Sequence, residues 1–380
     1  MELIWATEDL RLAGMSYKGL PILLDKDMAS VEPANRFLRY QLVHRGRVAS
    51  VKSWKTFGQH VYDFFSFLEA NDLRWDERRG LEGESQLAAY RDYCLRICRL
   101  KPRTINQRLG TIVRFYEYAY RQNWIAFLPY EMETVGRGRD TSLLEHLTPF
   151  RKGTRSADVM LRAQRPEVKY LSRDQLRLLL ASIHNDTHKL MVRMGLQVGL
   201  RREEIATFPT AYIAKARQRA GRTGMIKIRL VPTDGNGLKT KGNRERSVFF
   251  PAGLVDDLWD YIVHQRAQLL RHSESEPSQL FLTSLGTPWA NDGKGFLRVL
   301  RDIGNKINVS VHPHLLRHTY ATYTLAALQT KRIGIDPLVF IQRQLGHASI
   351  STTLCYAHIA SELVLTAVTA YDDEVTEWSR

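Results

Sequence analysis

The feature that most limits the fold is an interruption. Apolar residues recur at three- and four-residue steps through residues 30–126 and again from Leu171 onward, but the pattern fades between Phe127 and Glu167. That stretch carries Gly136-Arg137-Gly138-Arg139 and Arg151-Lys152-Gly153 instead. A connection this long is uncommon inside one compact body. Two bodies are therefore expected, and 380 residues suffice to bury a core in each. The division reads as an N-terminal extension over residues 1–29, a helical domain over 30–126, a linker over 127–168 with some helix near Leu143 to Leu147, and a second domain over 169–380. The extension is expected to pack, although a binding role stays open.

In the first body, Ser50 stands where a helix cap belongs, ahead of Val51, Trp54, Gly58, Val61, Phe65 and Leu68 on one face. A second helix follows Pro102, with Ile105, Leu109, Ile112, Val113 and Tyr116 aligned. Its opening turns carry Arg103, Asn106, Gln107 and Arg108, which suit phosphates or base edges at a DNA groove and equally suit a solvated face. Cys94 and Cys98 lie one turn apart with no second pair at zinc spacing, so they read as packing residues.

The second body opens on a capping box, Ser172 with Gln175, before the run from Leu176 to Ile183. Met225 to Val231 and Ser247 to Phe250 read as two strands around the turn-rich Pro232-Thr233-Asp234-Gly235-Asn236-Gly237. Lys239, Lys241, Arg244 and Arg246 are thereby carried on or near a hairpin. Asp336-Pro337 starts a helix and Gly346 ends it, which leaves His347 in a tight turn and Tyr356 in the next short helix. His314, Arg317 and His318 share one helical face. Two histidines at that spacing resemble a zinc pair, but the accompanying Glu is missing and Arg317 would repel a cation, so no metal is expected.

Composition narrows the partner. An excess of 55 Lys and Arg over 40 Asp and Glu gives a formal charge of +15, and such an excess points to a polyanion. No apolar run approaches the roughly 20 residues of a spanning helix. The opening Met1-Glu2-Leu3-Ile4-Trp5 lacks the order of a secretion signal. Three cysteines, Cys94, Cys98 and Cys355, form no disulfide framework, which fits a reducing compartment. The expected class is a cytosolic nucleic-acid binder, with no membrane.

Four boxes in order resemble those of the tyrosine recombinases, the phage-integrase-like site-specific recombinases. They are Gly199-Leu200-Arg201 with Glu204, then Lys241-Gly242-Asn243-Arg244-Glu245-Arg246, then His314-Leu315-Leu316-Arg317-His318, and last Leu345-Gly346-His347 with Tyr356 nine residues after His347. The resemblance covers Tyr170 to about Ile359, and the helical domain is similar to the family's core-binding domain.

The resemblance implies a mainly α fold with a small β-sheet: a two-domain C-shaped clamp of a helical core-binding domain and an α+β catalytic domain. It implies a site-specific DNA recombinase acting through a 3′-phosphotyrosyl link on Tyr356, for a mobile element or phage. Arg201 and Arg317 would clamp the scissile phosphate. His314 would accept or hold the tyrosine proton, and His347 would hydrogen-bond the phosphate. Lys241 would protonate the leaving 5′ oxygen. Lys239 is its alternative, because the stretch from Arg201 is longer than usual and holds a basic insert from Lys215 to Arg222. Glu204 would orient the first arginine, and His318 reads as a buried hydrogen-bonding residue. No metal, ATP or other cofactor is implied.

Lys239 and Arg244, with the helical-domain residues Arg103, Asn106, Gln107 and Arg108, are the expected DNA contacts, and Arg137, Arg139, Arg151 and Lys152 of the linker are further ones. A homotetramer on synapsed DNA, exchange of a helix over Ser361 to Tyr371, and accessory or excision factors are expected as well. A relaxing enzyme of the type IB topoisomerase kind and a catalytically silent DNA-binding relative remain the alternatives.

Overall fold

The computed structural model describes residues 1–48, 50–77, 85–135, 154–162, 168–219, 224–271, 276–330, 336–356 and 377–378. They divide into two units, Met1–Arg165 and Pro166–Arg380. Both are built mainly from helices with small antiparallel strand pairs, the expected class. No described helix is long and apolar enough to cross a membrane.

In the first unit, strands Glu2–Trp5 and Pro21–Leu24 pair antiparallel, with Leu3 opposite Leu23. Asn35 ties this pair to the first helix, Glu32–Arg39: its Oδ1 accepts from the Leu23 N–H at 2.8 Å and its Nδ2 donates to the Leu23 carbonyl at 2.8 Å. The N-terminal residues thus pack on the helical body. Helix Val51–Ala70 starts after Ser50 as the periodicity indicates, although the Ser50 side chain makes no capping bond. It packs with helix Pro102–Arg121 around Phe37, Phe64, Leu109 and Phe115, all fully buried.

The stretch read as a linker is not all connection. Met132–Val135 pairs antiparallel with Thr154–Ala157, and Ala157 and Val159 enter the core of the first unit. Four-residue strands are too short to betray a period of two. The helix expected near Leu143 to Leu147 and the cations Arg137, Arg139, Arg151 and Lys152 lie outside the described residues.

Two of the expected DNA contacts on helix Pro102–Arg121 turn inward. Both ends of the Asn106 amide are taken by the backbone of Leu161, at 2.8 and 2.9 Å. Arg108 forms an ion pair with Asp63 at 3.0 Å, with both side chains about four-fifths buried. Both flank the apolar stripe closely enough to be drawn into the core's edge. Arg103 and Gln107 are exposed.

In the second unit, Ser172 and Gln175 form the capping box of helix Arg173–Ala181. Helix Asp186–Arg193 widens into a π turn over Met194–Val198 and stops at Gly199. Strands Met225–Leu230 and Arg246–Pro251 form the hairpin in antiparallel register. Helix Pro313–Thr330 is the axis of this core, buried from Leu315 to Ala326 except at His318 and Thr324. Thr319 Oγ1 accepts from the Leu171 N–H at 3.0 Å and the Tyr323 hydroxyl donates to the Leu171 carbonyl at 3.1 Å, so the axis also fastens the chain's entry into the unit. Helix Pro337–Leu345 has the boundaries its sequence indicates: Asp336 caps it through Leu338 N–H and Val339 N–H, and Gly346 closes it in the left-handed region at φ 64°.

Removing Arg108 leaves the Asp63 carboxylate part-buried and unpaired, so Arg108→Ala should destabilise the protein by roughly 1–3 kcal/mol in denaturant unfolding. Arg103→Ala should leave unfolding unchanged. Equal effects of the two would contradict these placements.

Candidate active site

The site is assembled at the C-terminus of helix Pro337–Leu345. A helix end leaves carbonyls without intrahelical donors and carries partial negative charge. Here three successive carbonyls are taken by three guanidinium groups. Arg246 Nε donates to Gln344 O at 3.2 Å, an Arg317 terminal nitrogen donates to Leu345 O, and an Arg201 terminal nitrogen donates to Gly346 O at 3.2 Å. Arg317 also donates to Gly199 O at 2.6 Å. Gly199 is held there by geometry: its φ is +72°, and a Cβ would lie 2.5 Å from Tyr320 Cδ1 and 2.8 Å from Leu345 Cδ2.

One carboxylate serves these cations. Glu204 is fully buried. It accepts from both terminal nitrogens of Arg246 at 2.6 and 2.7 Å, from Arg201 Nη1 at 3.1 Å, and from the Arg201 N–H at 2.8 Å. Burial would raise its pKa, but the hydrogen bonds and charge of Arg246, with the charge of Arg201, outweigh that and hold it down to about 2. Arg317 is 4% exposed, and burial first and the Arg201 charge next pull it down to about 9. It stays cationic at neutral pH. Three guanidinium groups and one carboxylate leave an excess of positive charge at this helix end.

Past Gly346 the chain turns through two short 3₁₀ turns, Ile350–Thr352 and Leu354–Tyr356. His347 Nδ1 is 3.0 Å from Thr353 Oγ1, and its ring lies parallel to that of Tyr356 with centroids 6.4 Å apart. Tyr356 is 2% exposed, and its hydroxyl is 2.7 Å from His318 Nδ1. Burial first, and Cys355 next, push its pKa up, while Arg317 pulls the other way. The phenol's partner is thus His318, where the resemblance assigned the proton to His314. His314 stands one turn earlier on the same helix, its ring centroid 6.3 Å from that of His318, and it is exposed.

The two lysines differ in their surroundings. Lys239 Nζ forms an ion pair with Asp292 at 3.2 Å, whereas Lys241 is exposed in a tight turn, with no partner for its ammonium among the described residues. Arg244 is exposed beside it. The segment from Lys215 to Arg219 continues helix Thr210–Arg219, and the rest of that insert lies outside the described residues. Among the described residues, no group of three or more His, Cys, Asp or Glu is placed to hold a metal ion.

The structure therefore brings together Arg201, Glu204, Arg317, His314, His318, His347 and Tyr356. Sequence reading missed two members. Arg246 is the bidentate partner of Glu204. Gln344, 2% exposed, bridges Val198 O and Phe249 O through its Nε2 and accepts from the Phe249 N–H, locking the helix end to the hairpin.

Two outcomes follow. Glu204→Gln removes the buried carboxylate that pairs with Arg201 and Arg246 and should cost roughly 3–5 kcal/mol, read by denaturant unfolding of the second unit. A cost below about 1 kcal/mol would be within the range of ordinary surface pairs and would contradict the buried hub. The second concerns pH. Burial first, then His314 and Arg317, hold His318 at about 4. Burial, then Arg317 and Arg201, hold His347 at about 3. Unfolded imidazoles titrate near 6.5, so in this window the unfolded chain binds more protons. The histidines' contribution is complete above about pH 6.5 and is lost as pH falls toward the folded values. The melting temperature should drop from about pH 6.5 to 4.5, less steeply in His347→Gln. An identical slope in the variant would contradict the assignment.

The model of the phage integrase family matches residues 169–362. The chain is 24% identical over 360 residues to transposase A from transposon Tn554 of Staphylococcus aureus, covering 90% of this chain and 91% of that protein. It is 25% identical over 340 residues to the tyrosine recombinase XerC of Listeria welshimeri, covering 86% and 93%. Its fold is similar to that of the Tn1549 transposon integrase solved with a circular intermediate DNA, with a TM-score of 0.56, 18% identity, and coverage of 85% of this chain and 94% of that one. Since the matched residues make up more than half of its 380 residues, the chain belongs to the phage integrase family, the tyrosine recombinases.

Proposed function

We propose that the protein cuts and rejoins double-stranded DNA at specific sites, with Tyr356 as nucleophile, and that it moves or excises a mobile element. The observation that carries this reading is the enclosure of one phenol by two imidazoles beside a buried, under-neutralised arginine cluster. Phosphoryl transfer needs charge neutralised on the non-bridging oxygens and a nucleophile in line, and little else. Arg201 and Arg317 each spend part of their five N–H donors on fixed carbonyls and keep others for a phosphate. Their anchors hold them in place before substrate arrives. His347 and the exposed His314 complete the hydrogen-bonding around the phosphate.

Lys241 is the general acid for the leaving 5′ oxygen, since Lys239 is occupied by Asp292. Glu204 acts through the arginines and does not touch DNA. The arginines supply the charge that a metal ion supplies in other phosphoryl transferases, and the phosphotyrosyl bond conserves the energy for rejoining, so the reaction needs neither metal nor ATP. Arg103, Gln107 and Arg244 are exposed cations and donors for the DNA backbone, to which the chain's charge of +15 contributes.

The transposon relatives support a mobile-element role, and a homotetramer on paired sites, with or without accessory factors, is the assembly that site-specific exchange between two duplexes requires.

Covalent trapping tests this. Nicked suicide duplexes drawn from the ends of the element should yield a protein–DNA adduct that survives denaturant and chelator and disappears in Tyr356→Phe. An adduct retained in Tyr356→Phe would overturn the assignment of the nucleophile. Relaxation of any plasmid with no dependence on sequence would overturn site specificity.

A further inference from the structure

The site holds three imidazoles, those of His314, His318 and His347, and they are not equivalent toward the phenol. His347 presents its ring face to Tyr356 and spends Nδ1 on Thr353. His314 is exposed and lies a full turn away. His318 alone among the described residues places a ring nitrogen within hydrogen-bond distance of the Tyr356 hydroxyl, at 2.7 Å. A phenol ionises near pH 10 and is a weak nucleophile until its proton is taken. The contact already has the heavy-atom separation that a general base requires.

We propose that His318 Nδ1 is the proton acceptor for Tyr356 during strand cleavage and returns the proton when the strand is rejoined. This rests on the reading of Tyr356 as the nucleophile. In cleavage the Tyr356 oxygen forms the new bond to phosphorus and its proton passes to His318 Nδ1. The bond from phosphorus to the 5′ oxygen breaks, and that oxygen takes a proton from Lys241. Rejoining reverses each transfer, so the pair of proton carriers ends as it began.

The environment explains why the base is idle without DNA. Burial, and next the neighbouring His314 and Arg317, disfavour the imidazolium. An incoming phosphate diester supplies a negative charge beside the same cluster. That charge favours imidazolium at His318, so the base strengthens when the substrate is in place. The helix that carries Arg317 also carries His318 at the next position, so clamp and base are fixed by one rigid element.

The test is single-turnover cleavage of a suicide duplex by His318→Asn, with Tyr356 either native or replaced by 3,5-difluorotyrosine. Asn keeps a hydrogen-bonding atom near the position of Nδ1 but cannot take the proton. Cleavage should slow by about 10²–10⁴-fold with the native tyrosine. Most of that loss should be recovered with the fluorinated phenol, which ionises more readily and needs the base less. His314→Asn should show no such recovery. His318→Gln gives the same comparison if the Asn variant does not fold. Cleavage by the variant at the wild-type rate, or an equal loss with both phenols, would overturn the proposal. Failure of the wild-type protein to form any Tyr356 adduct would instead overturn the underlying reading of the nucleophile.

Discussion

Three arginines brought from distant parts of the chain dock on three successive carbonyls at one helix end, and the site follows from that contact. Arg201 comes from the start of a short helix, Arg246 from the hairpin's return strand and Arg317 from the axial helix. The terminal carbonyls of Pro337–Leu345 offer partial negative charge and fixed acceptors, so each guanidinium is oriented without a substrate. Glu204 joins two of the arginines but balances only one charge. Burial first, and the charge of Arg201 next, pull Arg317 down to about 9. Under the proposed function, a phosphate diester supplies the missing anion.

The same helix end sets the position of Tyr356. Gly346 reverses the chain at φ +64°, and a Cβ there would lie 2.8 Å from Arg246 Cδ, so the close approach of the arginine and the turn toward His347 depend on one residue. From that turn the chain needs only two 3₁₀ turns to bring Tyr356 against His318. The arginines and Tyr356 therefore share an anchor, and a shift of the Pro337–Leu345 helix would displace both together.

Much of this was legible in the sequence because local rules govern it. Asp336, Pro337 and Gly346 mark the helix boundaries, Ser172 and Gln175 mark a cap, and the turn residues from Pro232 to Gly237 between two strand-like runs mark the hairpin. The ordered boxes pointed to the residues that converge. What stayed hidden depends on long-range packing. Arg246 shares a strand face with Val248 and Phe250, both fully buried, so a charge at a core-facing position was a readable sign of a buried partner. Asn106 and Arg108 sit at the margins of their helix's apolar stripe, where a polar residue turns inward once a partner such as Leu161 or Asp63 is near. His314 and His318 lie on one face a turn apart, and no local rule says which of them reaches a tyrosine 38 residues away.

The central claim is that the arginines are positioned by the helix terminus before the phosphate arrives and keep those bonds while they hold it. The most direct measurement is a crystal structure of the protein trapped covalently on DNA. The account predicts the phosphate on Tyr356 between Arg201 and Arg317, with both guanidinium groups still donating to Gly346 O and Leu345 O. Arginines that leave those carbonyls to reach the phosphate, or a phosphate held elsewhere, would contradict it.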